Sequence, residues 1–269
     1  MRTVILALVG AFILAALSCA PRQTEGLLPV GQWVDLTHDF GDETVYWVNA
    51  EPFKRVATAE GNTPGGFYYA AGNYSAAEHG GTHLDAPMHF AQGKDTAGMV
   101  PLERLIAAAV KIDVSQKTMA DRDYLVSIED LRSWEGANGQ IPDGAILLLQ
   151  TGFNRFWPDR KQYLGTDQRG DAAAKDLHFP GLDPKAAKWL VENRRINAVG
   201  LDTASIDYGQ STTFESHVTL MTNNIPAFEN VANLDKLPLR GFQIVALPMK
   251  IKGGSGSPLR IVAFIPSAR

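Results

Sequence analysis

The chain has 269 residues, 45% of them hydrophobic, and 25 Lys and Arg stand against 29 Asp and Glu for a formal charge of −4. That length suits one large domain with a sizeable core, and the lack of any basic run excludes nucleic acid as an expected partner. Cys19 is the only cysteine, so no disulfide can form within the chain and stability must come from packing and from any bound metal.

Residues 1–19 read as an export signal. Arg2 supplies a positive start, and Val4 to Leu17 form an apolar run too short for a comfortable transmembrane helix. Ala16-Leu17-Ser18-Cys19 fits a permissive lipobox, and a sole cysteine at that place favours lipidation of Cys19 over simple secretion. The expected product is an exported protein, periplasmic or anchored as a lipoprotein, that touches a membrane only through Cys19. Residues 20–30 read as a polar linker and 31–269 as the domain.

Trp33 to His38 is a short strand-like run, and His38 in it reads as a hydrogen-bonded structural residue. Thr63-Pro64-Gly65-Gly66 is a turn, and Phe67-Tyr68-Tyr69-Ala70-Ala71 a strand-like run. Its aromatic rings are expected in the core, with one or two available to line a pocket for a planar substrate.

The next stretch, Glu78-His79-Gly80-Gly81-Thr82-His83-Leu84-Asp85-Ala86-Pro87-Met88-His89, holds three of the six histidines and an aspartate within eleven residues. Gly80-Gly81 and Pro87 argue against a helix, so the pattern predicts a loop entering a strand. Strand alternation then points His83 and Asp85 to one side, where they can meet one ion, and His79 closes from the glycine turn. Imidazole and carboxylate without thiolate suit Zn²⁺, Mn²⁺ or Fe²⁺. His89 shares the parity of His83 and Asp85, but Pro87 between them should bend the chain away from the ion.

Beyond His89, Pro101 to Leu105 suggests a helical turn and Ala109 to Val114 a strand. Ser127, with Asp130 three residues on, predicts a capping box for a helix through Trp134. Ala145 to Thr151 has the continuous apolar character of a buried strand. Asp183-Pro184 opens another helix with Ala186, Ala187, Leu190 and Val191 as its apolar stripe, and Ala198 to Asp202 is a further buried strand. By themselves Asp202 and Asp207 read as turn caps, and His178 as a loop residue outside the site. Gly253 to Gly256 is a turn between strands. This alternation predicts an α/β single domain with a mixed β-sheet core and flanking helices. Taken alone, His217 is open between ligand and core residue, and Glu229 reads as a solvated helix charge.

The motif from His79 to Phe90 resembles the signature of the metal-dependent cyclase family, which includes bacterial kynurenine formamidases and isatin hydrolases. Asp35-Leu36-Thr37-His38, Asp202 to Asp207, Ser216 to Leu220, Ala227 to Asn230 and Pro258-Leu259-Arg260 resemble further family segments; Tyr46-Trp47-Val48 departs from the usual Pro/Trp-rich turn. The resemblance implies the swivelling β/β/α fold and a metal site of His79, His83, Asp85, His217 and Glu229, with Asp202 and Asp207 in support of the pocket. It also implies one or two divalent ions, Zn or Mn, and His89 as general acid/base. The expected reaction is hydrolysis of a small amide or lactam by a water that the ion acidifies from a pKa of about 16 towards 7. A homo-oligomer, dimer or tetramer, is implied too. A different class of function, a metal- or ligand-binding lipoprotein without turnover, would have no use for a non-ligating His89. Serine catalysis lacks its Gly-x-Ser-x-Gly elbow.

Overall fold

The computed structural model describes residues 30–267; the expected signal, Cys19 and nearly all of the linker lie outside the described residues. The strands are β1 (Gly31–Asp35), β2 (Lys54–Asn62), β3 (Tyr68–Ser75), β4 (His83–Asp85), β5 (Ile106–Asp113), β6 (Leu125–Val126), β7 (Ile146–Gln150), β8 (Gly181–Leu182), β9 (Ala198–Leu201), β10 (Ala227–Glu229), β11 (Arg240–Pro248) and β12 (Gly256–Pro266). The helices are α1 (Leu102–Leu105), α2 (Ser115–Ala120), α3 (Ile128–Asn138), α4 (Arg160–Leu164), α5 (Pro184–Asn193) and α6 (Glu215–Thr222). No helix among the described residues is long and apolar enough to cross a membrane.

The main sheet runs β1-β12-β11-β5-β7-β9-β10-β4, and β4 also pairs with β12. That last pairing closes the strands from β12 to β4 into a barrel-like ring, with β1 added on its outside. β5, β7, β9 and β10 are mutually parallel, and the strands that complete the ring are antiparallel. The parallel part needs crossover helices, which the predicted α3 and α5 supply together with α6.

Side-chain parity divides the core in two. Ile146 and Leu148 of β7 point into the ring, where they meet Leu84, Ala198, Phe228, Ile244 and Ile261. Leu147 and Leu149 point outward against Leu131, Trp134, Leu190 and Leu220 of the helices. The unbroken apolar run of β7 is what a strand covered on both faces requires. Ser127 caps α3 in the predicted capping box, and the helix runs on to Asn138, past the expected end at Trp134. Asp183 caps α5, with Pro184 at its first position.

One expectation fails at the aromatic run. β2 and β3 pair only with each other, and most residues on both faces of this ribbon are exposed. Phe67 and Tyr68 are each 62% exposed, and Tyr69 and Tyr74 stand out beside them. Only the root is tied down, where Tyr74 stacks on Phe53 at 5.7 Å. His38 is a structural residue as expected, its amide donating to Thr82 Oγ1 at 2.9 Å. Its ring is held by stacking on Trp157, with centroids 4.0 Å apart, while its Nε2 has no hydrogen-bond partner. Burial pushes it down to about 4.

The capping box gives a direct stability test. Ser127→Ala removes the acceptor for the Asp130 amide, so denaturant unfolding should show a loss of about 1 kcal/mol with metal content unchanged.

Candidate metal centre

Ring closure positions the motif. β4 is three residues long and paired on both sides: His83 lies opposite Glu229 of β10 and Pro258 of β12, and Asp85 opposite Ala227 and Gly256. Leu84 and Phe228 fill the ring, so alternation turns His83, Asp85 and Glu229 to the outer face, beneath α6. Glu229 is therefore a buried strand residue and not a solvated helix charge. Sequence reading without the family could not see this, because a three-residue strand has no measurable period.

His217 descends from α6. Asp207 accepts hydrogen bonds from the Ser216 amide, the His217 amide and His217 Nδ1, the last at 2.6 Å. Its expected supporting role is thus to cap the helix and turn the ring. His217 Nε2 then reaches Asp85 at 3.2 Å and Glu229 at 3.1 Å. His83 Nδ1 donates to the Gly81 carbonyl at 3.0 Å, and its Nε2 lies 3.1 Å from Asp85 and 3.6 Å from Glu229. His79 closes from the glycine turn as expected, with Nδ1 2.6 Å from Asp85.

Both glycines of that turn are required. Gly81 has φ +57°, and a Cβ on Gly80 would lie 2.1 Å from the Tyr46 ring.

Two residues that hold His79 escaped the sequence reading. Its Nε2 meets Ser255 Oγ at 2.9 Å, and that hydroxyl donates to Glu78 at 2.7 Å. The Gly-rich turn is the predicted link between strands, but it also forms a wall of the site: a Cβ at Gly256 would come within 2.4 Å of the His79 ring. The one available signal was a flexible Gly-Gly-Ser-Gly segment where an ordinary hairpin needs fewer glycines.

After Asp85 the strand stops, and Pro87–His89 forms a 3₁₀ turn. Strand parity therefore does not extend to His89, although the bend at Pro87 does occur. His89 stacks on His79 with centroids 3.8 Å apart. Two overlapping groups result, His79 with Asp85 and His89, and His83 with Asp85 and Glu229, and in each the ligand atoms lie within 4.8 Å of one another. The structure thus brings all six sequence-derived residues together. His178 pairs instead with Asp123 at 2.7 Å, apart from the cluster.

The electrostatics fit a cation. Burial opposes charge on His83, but Asp85 and Glu229 hold it up at about 9. Burial likewise opposes charge on His217, yet Asp207, Asp85 and Glu229 raise it well above the ordinary value. Burial and the neighbouring Asp85 carboxylate push Glu229 up to about 7. In the metal-free chain, protons on the inward nitrogens do the work of a cation between two buried carboxylates. Three imidazoles with anchored outer nitrogens, two shared carboxylates and no thiolate fit a divalent ion. The cluster opens into a cavity of ≈ 310 Å³ whose other walls include Val45, Tyr46, Trp47, Phe90 and Phe214. That size suits a small molecule.

A ring of strands with an imidazole and carboxylate cluster on its outer face is the architecture of a metal-dependent hydrolase. The chain belongs to the cyclase family: the family model described as "Putative cyclase" matches residues 34–208. It is 34% identical to the isatin hydrolase of Roseibium aggregatum, over 71% of this chain and 73% of that one. Identity to the kynurenine formamidase of Bordetella petrii is 28%, over 68% and 75%. Among solved structures it is similar to isatin hydrolase A from Ralstonia solanacearum, with TM-score 0.78, 31% identity, and coverage of 87% of this chain and 92% of that one. Isatin hydrolase A from Labrenzia aggregata, bound to benzyl benzoate, matches with TM-score 0.80 and 31% identity over 88% and 94%.

These pKa directions set a pH dependence. His83 and His217 lie above the 6.5 of the unfolded chain, so their stabilisation is complete below pH 6.5 and is lost as pH rises through the folded values, about 9 for His83. Glu229, raised from 4.5 to about 7, has the same sign in its own window. The chelator-treated protein should melt at a lower temperature at pH 9 than at pH 6.5. Metal binding at pH 7 should release protons, seen by calorimetry in two buffers of different ionisation enthalpy; binding without proton release would contradict this charge assignment.

Proposed function

We propose that this chain hydrolyses the C–N bond of a small planar amide or lactam, with His79, His83, Asp85, His217 and Glu229 holding the metal and His89 moving the proton. The observation that carries the reading is the convergence of these six residues at one end of a small, mostly apolar cavity. Isatin-type lactams and aryl formamides of the kynurenine kind are the substrates to test, by the names of the relatives. The aromatic walls favour a planar substrate.

The donor set suits Zn²⁺ or Mn²⁺, and a five-ligand cluster centred on Asp85 leaves room for one ion, or for two with Asp85 shared between them. A divalent ion at this place polarises a carbonyl and acidifies a water ligand from a pKa of about 16 towards 7. The protein's residues do the rest. The anchored outer nitrogens hold the imidazoles in place, and the apolar walls hold bulk water back. Burial pushes His89 down to about 4, so it stands neutral at pH 7 with a nitrogen free to accept a proton. It takes that proton from the attacking water and delivers it to the nitrogen that departs as the C–N bond breaks.

Metal analysis of the purified protein, coupled to an absorbance screen of isatins and aryl formamides, tests the reading; metal-bound protein inert to both classes would overturn it. His89→Ala should keep its metal and its melting temperature while losing about 10² or more in turnover. Loss of metal along with activity would make His89 a ligand.

We further propose export with a lipidated Cys19, which rests on the lipobox and the sole cysteine. Mass spectrometry of the membrane fraction should find the mature N-terminus at an acylated Cys19, and an unmodified N-terminus at Pro21 would decide for simple secretion.

A further inference from the structure

We infer that Asn230, held in one orientation by Tyr163, is the positioning residue that turns the His83 ring so that Nε2 faces the ligand cluster. The inference rests on the reading of that cluster as a metal centre. His217 and His79 have side-chain anchors in Asp207 and Ser255. His83 instead leans on a backbone carbonyl, that of Gly81, in a turn where the Gly81 amide is tied to the Val45 carbonyl at 2.9 Å and its own carbonyl faces the His83 ring. Something must fix that carbonyl.

Asn230 is placed to do so. It follows Glu229 directly at the end of β10, is 2% exposed, and has φ +52°, a left-handed conformation that Asn tolerates better than most residues. Both ends of its amide are engaged. Nδ2 donates to the Gly81 carbonyl at 2.7 Å, and Oδ1 accepts from the Tyr163 hydroxyl at 2.8 Å. Its backbone carbonyl accepts from Thr82 Oγ1 at 2.7 Å, and its amide donates to the Thr203 carbonyl at 2.8 Å. The 81–82 segment is therefore gripped twice by one residue.

The proton inventory gives this grip a direction. A carbonyl oxygen has two lone pairs, and at Gly81 one receives Asn230 Nδ2–H and the other His83 Nδ1–H. His83 must then carry its proton on Nδ1, which leaves Nε2 for the site. The Tyr163 hydroxyl is 3.1 Å from the Asp202 carbonyl as well. The Gly81 carbonyl can only accept, so it takes the nitrogen end of the Asn230 amide, and the single proton of the Tyr163 hydroxyl, at the shorter of its two acceptor distances, goes to the oxygen end. Burial raises Tyr163 well above its ordinary value, so it remains a donor at any working pH. Tyr163 acts on Asn230, Asn230 on Gly81, and Gly81 on His83.

The test is an isosteric change. Asn230→Asp keeps the size of the side chain and its tolerance of the left-handed conformation, but sets an acceptor against the Gly81 carbonyl. In a chelator competition titration, its dissociation constant for Zn²⁺ should rise about 10- to 100-fold, the range for lost outer partners of a metal-ligating histidine. Tyr163→Phe should weaken Zn²⁺ in the same direction and by less. Nitrogen-15 NMR of the zinc-loaded unmodified chain should find the His83 proton on Nδ1. In Asn230→Asp that resonance should shift while the His217 signal, anchored by Asp207, stays; a general loss of structure would move both. Zn²⁺ affinity of Asn230→Asp within roughly threefold of the unmodified chain overturns the inference. A His83 proton on Nε2 in the unmodified zinc-loaded chain overturns it too, even where the variant does not fold. An unmodified chain that binds no Zn²⁺, Mn²⁺ or other divalent ion overturns the metal-centre reading and this inference with it.

Discussion

The double pairing of β4 is the constraint on which the rest depends. Three residues bridge β10 and β12, and without them the ring would be an open sheet with unpaired edges. The same three residues carry two of the central side chains of the site. Strand geometry places His83 and Asp85 on one face and Leu84 on the other, so the contact that closes the ring also aims the imidazole and the carboxylate outward. Packing and chemistry are fixed by one short register, and a one-residue slip would turn His83 and Asp85 into the ring and Leu84 towards α6.

How much of this was legible in the sequence depended on how local each signal was. The capping box at Ser127, the Asp183-Pro184 helix start and the apolar run of β7 are decided by neighbours in sequence, and each forms where it was expected. The His79 to His89 motif was legible for the same reason, since two glycines and a proline mark its turns. Glu229 and His217 were visible only through family resemblance. One lies on a strand of three residues and the other near the start of an eight-residue helix, both too short for periodicity to speak. Glu78 and Ser255 are separated by 177 positions, and no spacing rule connects them. The exposed ribbon misled because aromatic and β-branched residues report strand formation and not which faces are covered.

The cluster also shows why a binding site can sit at the heart of a stable fold. Buried carboxylates such as Asp85 and Glu229 would be costly as bare charges. Here they are shared among three imidazoles, each tied at its far nitrogen to a different part of the chain: the β12 turn, the glycine turn and the loop before α6. The carboxylates favour charge on His83 and His217, so protons and a cation compete for those two rings. That interchange links the solvent's acidity to the occupancy of the site without any moving part.

The ribbon of β2 and β3 enters this picture through its roots. It leaves the body just after Asn49 and Ala50 and returns just before Ala77 and His79, all four of which border the cavity. His83, Asp85, Glu229 and His217 are set in sheet and helix, whereas His79 is the first residue of the cluster reached as the chain returns from the solvent-exposed ribbon. Paired segments with few buried contacts open at lower free energy than a core does. The cluster therefore joins two kinds of structure, sheet and helix on one side and, at His79, the foot of a solvent-exposed ribbon tied back to the core by Asp85 and Ser255.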